Sequence, residues 1–138
     1  MLLITTLHAL VSRGTTQIAE LQRLTVSLRA GFERRKGCLV FNFTGQLDAY
    51  SEKQFQTYVE DVLKANLSSI VFDLSQIDFL DSSGLGALVQ IAKYCKQSKR
   101  SFTVVGNARV IQTIKLVRLE DFLHLEPDLS AAFSQLSD

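Results

Sequence analysis

The residues best suited to chemistry lie in one short run, Asp81-Ser82-Ser83-Gly84-Leu85-Gly86. The buried-strand pattern Val71-Phe72-Asp73-Leu74 leads into it through a polar turn. Leu85, Leu88, Val89, Ala92 and Cys95 then follow at the i, i+3, i+4, i+7 spacing of a helix. Three oxygen-bearing side chains therefore stand where the first helical turn leaves backbone N–H groups without partners, and one of them is expected to be the N-cap. A single cap uses only one of the three. Gly84 and Gly86 remove side chains and let another surface approach the backbone. A helix start also accommodates an added phosphate, because its N–H groups and positive dipole end attract an anion. The run could thus offer a modifiable hydroxyl, a nucleophilic hydroxyl, or a cradle for a nucleotide phosphate.

The second and third chemistries lack their usual companions. A nucleophilic serine needs a general base within hydrogen-bond reach. The two histidines are His8, in an apolar leader, and His124, in a late apolar run that reads as core. No Gly-x-Ser-x-Gly elbow is present. Gly84-Leu85-Gly86 falls short of Gly-x-Gly-x-x-Gly because Val89 fills the third position, and no Walker lysine follows, so a nucleotide-binding regulatory module is a minor alternative. Cys38 and Cys95 lie apart in apolar segments, which predicts two reduced core thiols in a cytoplasmic protein and no zinc site. Neither a metal nor a cofactor is expected.

The elements that must position this run belong to one domain, since 138 residues leave no room for two. A composition of 46% hydrophobic and 21% charged residues, with one Pro, is that of a globular chain with a buried core. The formal net charge of +1 excludes a domain-wide positive field for nucleic acid. The charge is uneven: Met1 to Gly37 carries six Lys/Arg against two Glu, and Cys38 to Asp138 carries nine against twelve Asp/Glu. The apolar leader from Leu2 to Val11 has no preceding basic residue and no cleavage pattern, and it is far short of the ~20 residues of a membrane span. Residues 1–23 are read as an N-terminal extension and 24–138 as the domain. Neither a nucleic-acid nor a membrane partner is expected.

Leu24 to Arg29 and Cys38 to Phe43 are expected to form a hairpin across a charged turn at Arg34-Arg35-Lys36-Gly37, with Gly45 ending the second strand. Ser51 to Ala65 places Phe55, Tyr58, Val59, Val62 and Leu63 on one helical face. Ser69 to Asp73 and Phe102 to Gly106 read as buried strands. Val110, Ile114 and Val117 suggest a third helix, and Phe122 to Leu125 a short strand before a last helical turn beyond Pro127. Strands alternating with helices predict an α/β fold, a mixed sheet of four to five strands with helices packed against it.

The ordered pair of motifs is specific. Asp81-Ser82-Ser83-Gly84-Leu85-Gly86, seven residues beyond Val71-Phe72-Asp73-Leu74, together with Gly45-Gln46-Leu47-Asp48, resembles the signature of the STAS domain, in particular the bacterial anti-sigma factor antagonists. The similarity spans Leu24 to Phe133. It implies that Ser82 is a phosphoacceptor, modified by a partner anti-sigma factor that is itself a serine kinase and reset by a PP2C-type phosphatase. It also implies that the chain is not an enzyme and that the unmodified form captures its partner, releasing a sigma factor. Partner contacts are expected at Asp48, Asp81, Ser83, Gly84, Leu85 and Gly86. A STAS scaffold in another signalling pathway is the alternative. One departure is Arg118, which stands where many relatives carry glycine.

Overall fold

The computed structural model describes residues 20–136 of the chain. His8 and the apolar leader lie outside the described residues. Six strands form one mixed sheet in sequence order: β1 (Gln22–Arg23), β2 (Leu28–Arg35), β3 (Cys38–Leu47), β4 (Ser69–Leu80), β5 (Phe102–Gly106) and β6 (Leu125–Glu126). The first three pair antiparallel, and β3 through β6 pair parallel. Helices α1 (Glu52–Lys64), α2 (Ser82–Gln97) and α3 (Ala108–Leu116) link the parallel strands, as such crossovers require, and α4 (Leu129–Leu136) closes the described chain.

Alternation along the strands sorts their side chains onto two faces. Phe41, Phe43, Phe72 and Phe102 join Phe55 and Leu63 of α1, Leu88 and Ile91 of α2, and Val110 and Ile114 of α3 in the main core. Phe72 is its centre, with ring centroids 5.1–5.7 Å from Phe41, Phe43, Phe55 and Phe102. Such tilted and edge-on pairs add about 0.5–1.5 kcal/mol each beyond their buried area. On the opposite face Cys38, Val40, Val71 and Val105 pack under Ala132 and Phe133 of α4. Both cysteines are buried free thiols.

Several boundaries differ from the sequence expectation. The hairpin strand is Leu28–Arg35 rather than Leu24 to Arg29, so Arg34 and Arg35 belong to β2 and only Lys36-Gly37 turns, at φ 51° and 80°. Gly45 does not end β3. It adopts φ 115° inside the strand, at a register irregularity where a side chain would collide with the Ser27 carbonyl oxygen. The polar stretch after Asp73 is no turn, since β4 continues to Leu80 in parallel pairing with β3. The late strand is Leu125–Glu126 rather than Phe122 to Leu125. Val117 is the exposed C-cap of α3 rather than a core position. His124 is exposed at φ 51°, not core.

Candidate functional site

Parallel pairing brings the starts of α1, α2 and α3 to one edge of the sheet, beyond the carboxyl ends of β3, β4 and β5. In open α/β sheets this edge is where ligands and partners bind. A single residue, Asp81, joins β4 to α2. Its backbone is extended, at φ −106° and ψ −173°, and its Oδ1 accepts from the Gly84 N–H at 2.9 Å. Asp81 is therefore the N-cap, and Ser82 is the first helical residue.

The other carboxylate oxygen reaches out of the helix. Asp81 Oδ2 accepts from the Ala49 N–H at 3.3 Å, and the Asp81 N–H lies 3.4 Å from the Leu47 carbonyl oxygen. One side chain thus caps α2 and ties it to the β3–α1 connection. That connection is organised by Asp48, which is 7% exposed. Asp48 Oδ1 accepts from the Tyr50 and Ser51 N–H groups at 3.0 and 3.1 Å and from the Ser51 hydroxyl at 3.2 Å. The Ser51 Oγ in turn accepts from the Asp48 N–H at 3.0 Å and lies 2.9 Å from the Gln46 carbonyl. This closed turn holds Tyr50 on its outside, 87% exposed.

The sequence-selected residues divide into an inward and an outward group. Gly84 and Leu85 are buried. Gly84 is required by the close passage of the β3–α1 connection, because a side chain there would overlap the Leu47 carbonyl oxygen. The surface that approaches Gly84 is thus the protein's own backbone. Gly86 is exposed, with open space around the direction a side chain would take. Ser82 is exposed and Ser83 half-buried, and among the described residues neither hydroxyl has a protein partner. Asp78, four residues before Ser82, is exposed, its carbonyl accepting from Arg109 at 3.4 Å.

Three contributors were missed in the sequence. Ser51 closes the Asp48 turn, and an Asp-x-x-Ser spacing ahead of a helix was its visible signal. Asn107 caps α3 by accepting from the Val110 N–H and donates through Nδ2 to the Ser75 and Ile77 carbonyls at 3.0 and 2.8 Å, fixing the irregular end of β4. Phe79, 48% exposed two residues before Asp81, adds apolar surface with Tyr50 at this edge.

Among the described residues nothing at the edge is arranged as a nucleophile with its base. His124 Nδ1 bonds the Phe102 carbonyl at 2.8 Å, at the opposite edge where β5 begins. Among the described residues no group of three or more His, Cys, Asp or Glu could hold a metal, and no helix is long and apolar enough to cross a membrane.

Known proteins share this architecture. The anti-sigma factor antagonist of Mycobacterium paratuberculosis superposes with a TM-score of 0.74 at 24% identity, covering 81% of this chain and 96% of that one. The phosphorylated form of the Bacillus cell-fate determinant SpoIIAA superposes with a TM-score of 0.57 at 14% identity, covering 78% and 98%. In sequence, the anti-sigma-B factor antagonist of Staphylococcus aureus is 23% identical over 82 residues, 59% of this chain and 76% of that protein. The STAS domain profile matches residues 30–132, from β2 into α4, and takes in both the Asp48 turn and the Asp81 cap. By that match over most of its length, the chain belongs to the STAS domain family.

Proposed function

We propose that this protein is an anti-sigma factor antagonist, controlled by phosphorylation of Ser82. The observation that carries the reading is the placement of the Ser82 hydroxyl. It is exposed and, among the described residues, unpartnered in the first turn of α2, directly after a cap that already satisfies the Gly84 N–H. A kinase can reach it without opening the fold. The names of the relatives support the same role.

Phosphate on Ser82 adds about −1.5 to −2 charges. It enters at the positive end of the α2 dipole, so the fold tolerates it, and it stands among Asp78 and Asp81, so the surface becomes strongly negative. The modified protein then loses its partner by charge repulsion across the interface rather than by refolding. Ser82, Ser83 and Gly86 form the contact centre, with Tyr50 and Phe79 as apolar anchors. Asp48, Asp81, Gly84 and Leu85 act by holding that surface in place. The partner is an anti-sigma factor with serine kinase activity, and a PP2C-type phosphatase restores the unmodified form. Neither a cofactor nor a catalytic group of this chain takes part.

Capture assays with a kinase that modifies the chain test the switch. Ser82→Ala should retain capture and Ser82→Asp should lose it, while amide spectra show changes confined to the α2 start. Unchanged capture by Ser82→Asp, or shifts spread across the sheet on phosphorylation, would overturn the interfacial mechanism.

A further inference from the structure

The near-zero net charge conceals a polarised domain. At the edge opposite Ser82, beside the connection 117–124, which carries Arg118 with Glu120 and Asp121, three other connections meet: 34–37 at the hairpin tip, 64–69 after α1, and 96–101 at the end of α2. They hold seven of the fifteen Lys and Arg residues and none of the fourteen Asp and Glu residues. The Ser82 edge is more acidic: 46–51 and 78–83 hold Asp48, Asp78 and Asp81 and no cation, and Arg109 of α3 reaches in to the Asp78 carbonyl.

Hydrogen bonds join the three basic connections into one surface. Arg34 donates from Nη1 to Ser68 Oγ at 2.6 Å and from Nη2 to Asn66 Oδ1 at 3.0 Å. Arg100 Nη2 donates to the Leu63 carbonyl at 3.0 Å, and the Ile70 N–H to the Ser101 carbonyl at 2.9 Å. Between the two residues that Arg34 grips stands Leu67, 87% exposed. The helix dipoles explain only part of this charge. The C-termini of α1 and α2 present about −0.5 each, together about one negative charge against seven positive ones. Lys64 pairs with Asp61 at 3.7 Å, both side chains largely exposed. Lys36 and Lys99 hold left-handed backbone, at φ 51° and 59°, where asparagine or glycine is less strained. Their side chains point to a role other than making the turn.

We infer that this edge docks on the surface of an anionic lipid bilayer, its exposed cations facing the headgroups, Arg100 bracing the edge from inside, and Leu67 entering the interface. A basic rim around one protruding leucine meets both requirements of peripheral binding, charge attraction and apolar insertion. Nucleic acid fits less well. The aromatic rings at this edge lie against cations rather than open to bases, Phe133 beneath Arg35 and Lys36, Phe122 beneath Lys96 and Tyr94 beside Arg100. An acidic polypeptide would leave Leu67 without an apolar partner. Docking in this orientation turns the Ser82 edge toward solvent, open to a kinase.

Flotation of the full chain with vesicles tests the proposal. Phosphatidylcholine vesicles with about one-third phosphatidylglycerol should carry the protein upward, pure phosphatidylcholine should not, and about 0.5 M salt should release it. Lys36→Asn with Lys99→Asn removes two charges while keeping residues that accept left-handed backbone, so folding is preserved. At about fivefold per lysine, it should weaken vesicle binding roughly thirtyfold. Leu67→Ser should weaken it with the salt dependence intact. Equal binding to neutral and anionic vesicles, binding unaffected by the lysine pair, or capture of duplex DNA or polyglutamate without vesicle binding would each overturn the assignment.

Discussion

Gly84 and Gly86 lie two residues apart in the same helix, yet alanine at the two positions should shift stability in opposite directions. At Gly84 an added Cβ would overlap the Leu47 carbonyl oxygen and stand 2.9 Å from its carbonyl carbon and 2.8 Å from Leu80 Cδ1. Ordinary carbon contacts begin near ~3.5 Å, so the overlap is about 0.6 Å or more against backbone that cannot rotate away. Overpacking of this kind costs about 1–3 kcal/mol. Relieving it by moving the β3–α1 connection would sacrifice the Asp81–Ala49 hydrogen bond, roughly another 1 kcal/mol. The gain in helix propensity from Gly to Ala returns at most about 1 kcal/mol. Gly84→Ala should therefore destabilise the fold by about 2 kcal/mol. At Gly86 nothing lies within 4 Å of the added carbon, so only the propensity gain acts and Gly86→Ala should stabilise by about 0.5–1 kcal/mol. Urea unfolding followed by circular dichroism reads both, with m unchanged. Melting temperatures should separate by about 10 °C. A Gly84→Ala protein as stable as the parent, or a destabilised Gly86→Ala protein, would refute the close passage of Leu47 over the helix start.

Removing the double anchor, Asp81→Ala, leaves the Gly84 and Ala49 N–H groups without partners and should cost about 1–2 kcal/mol, while Asp81→Asn recovers part of the loss. Equal stability of the alanine variant in urea titration would contradict the bridging role. Arg118 holds φ 60° after α3, so Arg118→Gly should raise stability by about 0.5–1 kcal/mol, and a lower melting temperature would contradict strain there. Burial pushes the Tyr58 hydroxyl up to about 12 and the Cys95 thiol up to about 11, the latter partly offset by Arg100. Both groups stay neutral in the fold at pH values where the unfolded chain ionises. Stability is therefore full below about pH 9 and falls as pH rises toward about 11, where a flat unfolding profile would contradict the burial.

The central strands and the first two helices were legible because their apolar periodicity is local. Phe55, Val59 and Leu63 announce α1, and the run from Phe102 to Val105 announces β5. What escaped depends on contacts between distant segments. Ser75 to Asp78 reads as a turn by composition, but pairing with β3 and the two Asn107 hydrogen bonds hold it as strand. β1 has two residues and exists through its pairing with Ala30 and Arg29. At the candidate site, a cap among Asp81, Ser82 and Ser83 followed from their position before a helix. The bond of Asp81 to Ala49 and the passage of Leu47 over Gly84 join segments more than thirty residues apart, and no local pattern encodes them. Arg118 shows the reverse case: the left-handed turn that glycine favours is kept although an arginine occupies it.

The proposed switch turns on the Ser82 hydroxyl, exposed and, among the described residues, unpartnered. Incubation of the full chain with serine kinases of the anti-sigma factor type and ATP, followed by mass spectrometry of the modified peptide and a binding assay on the same sample, tests it most directly. Phosphate should appear on Ser82 alone, in step with loss of kinase capture. Phosphate on another residue, or undiminished capture by protein modified at Ser82, would contradict it.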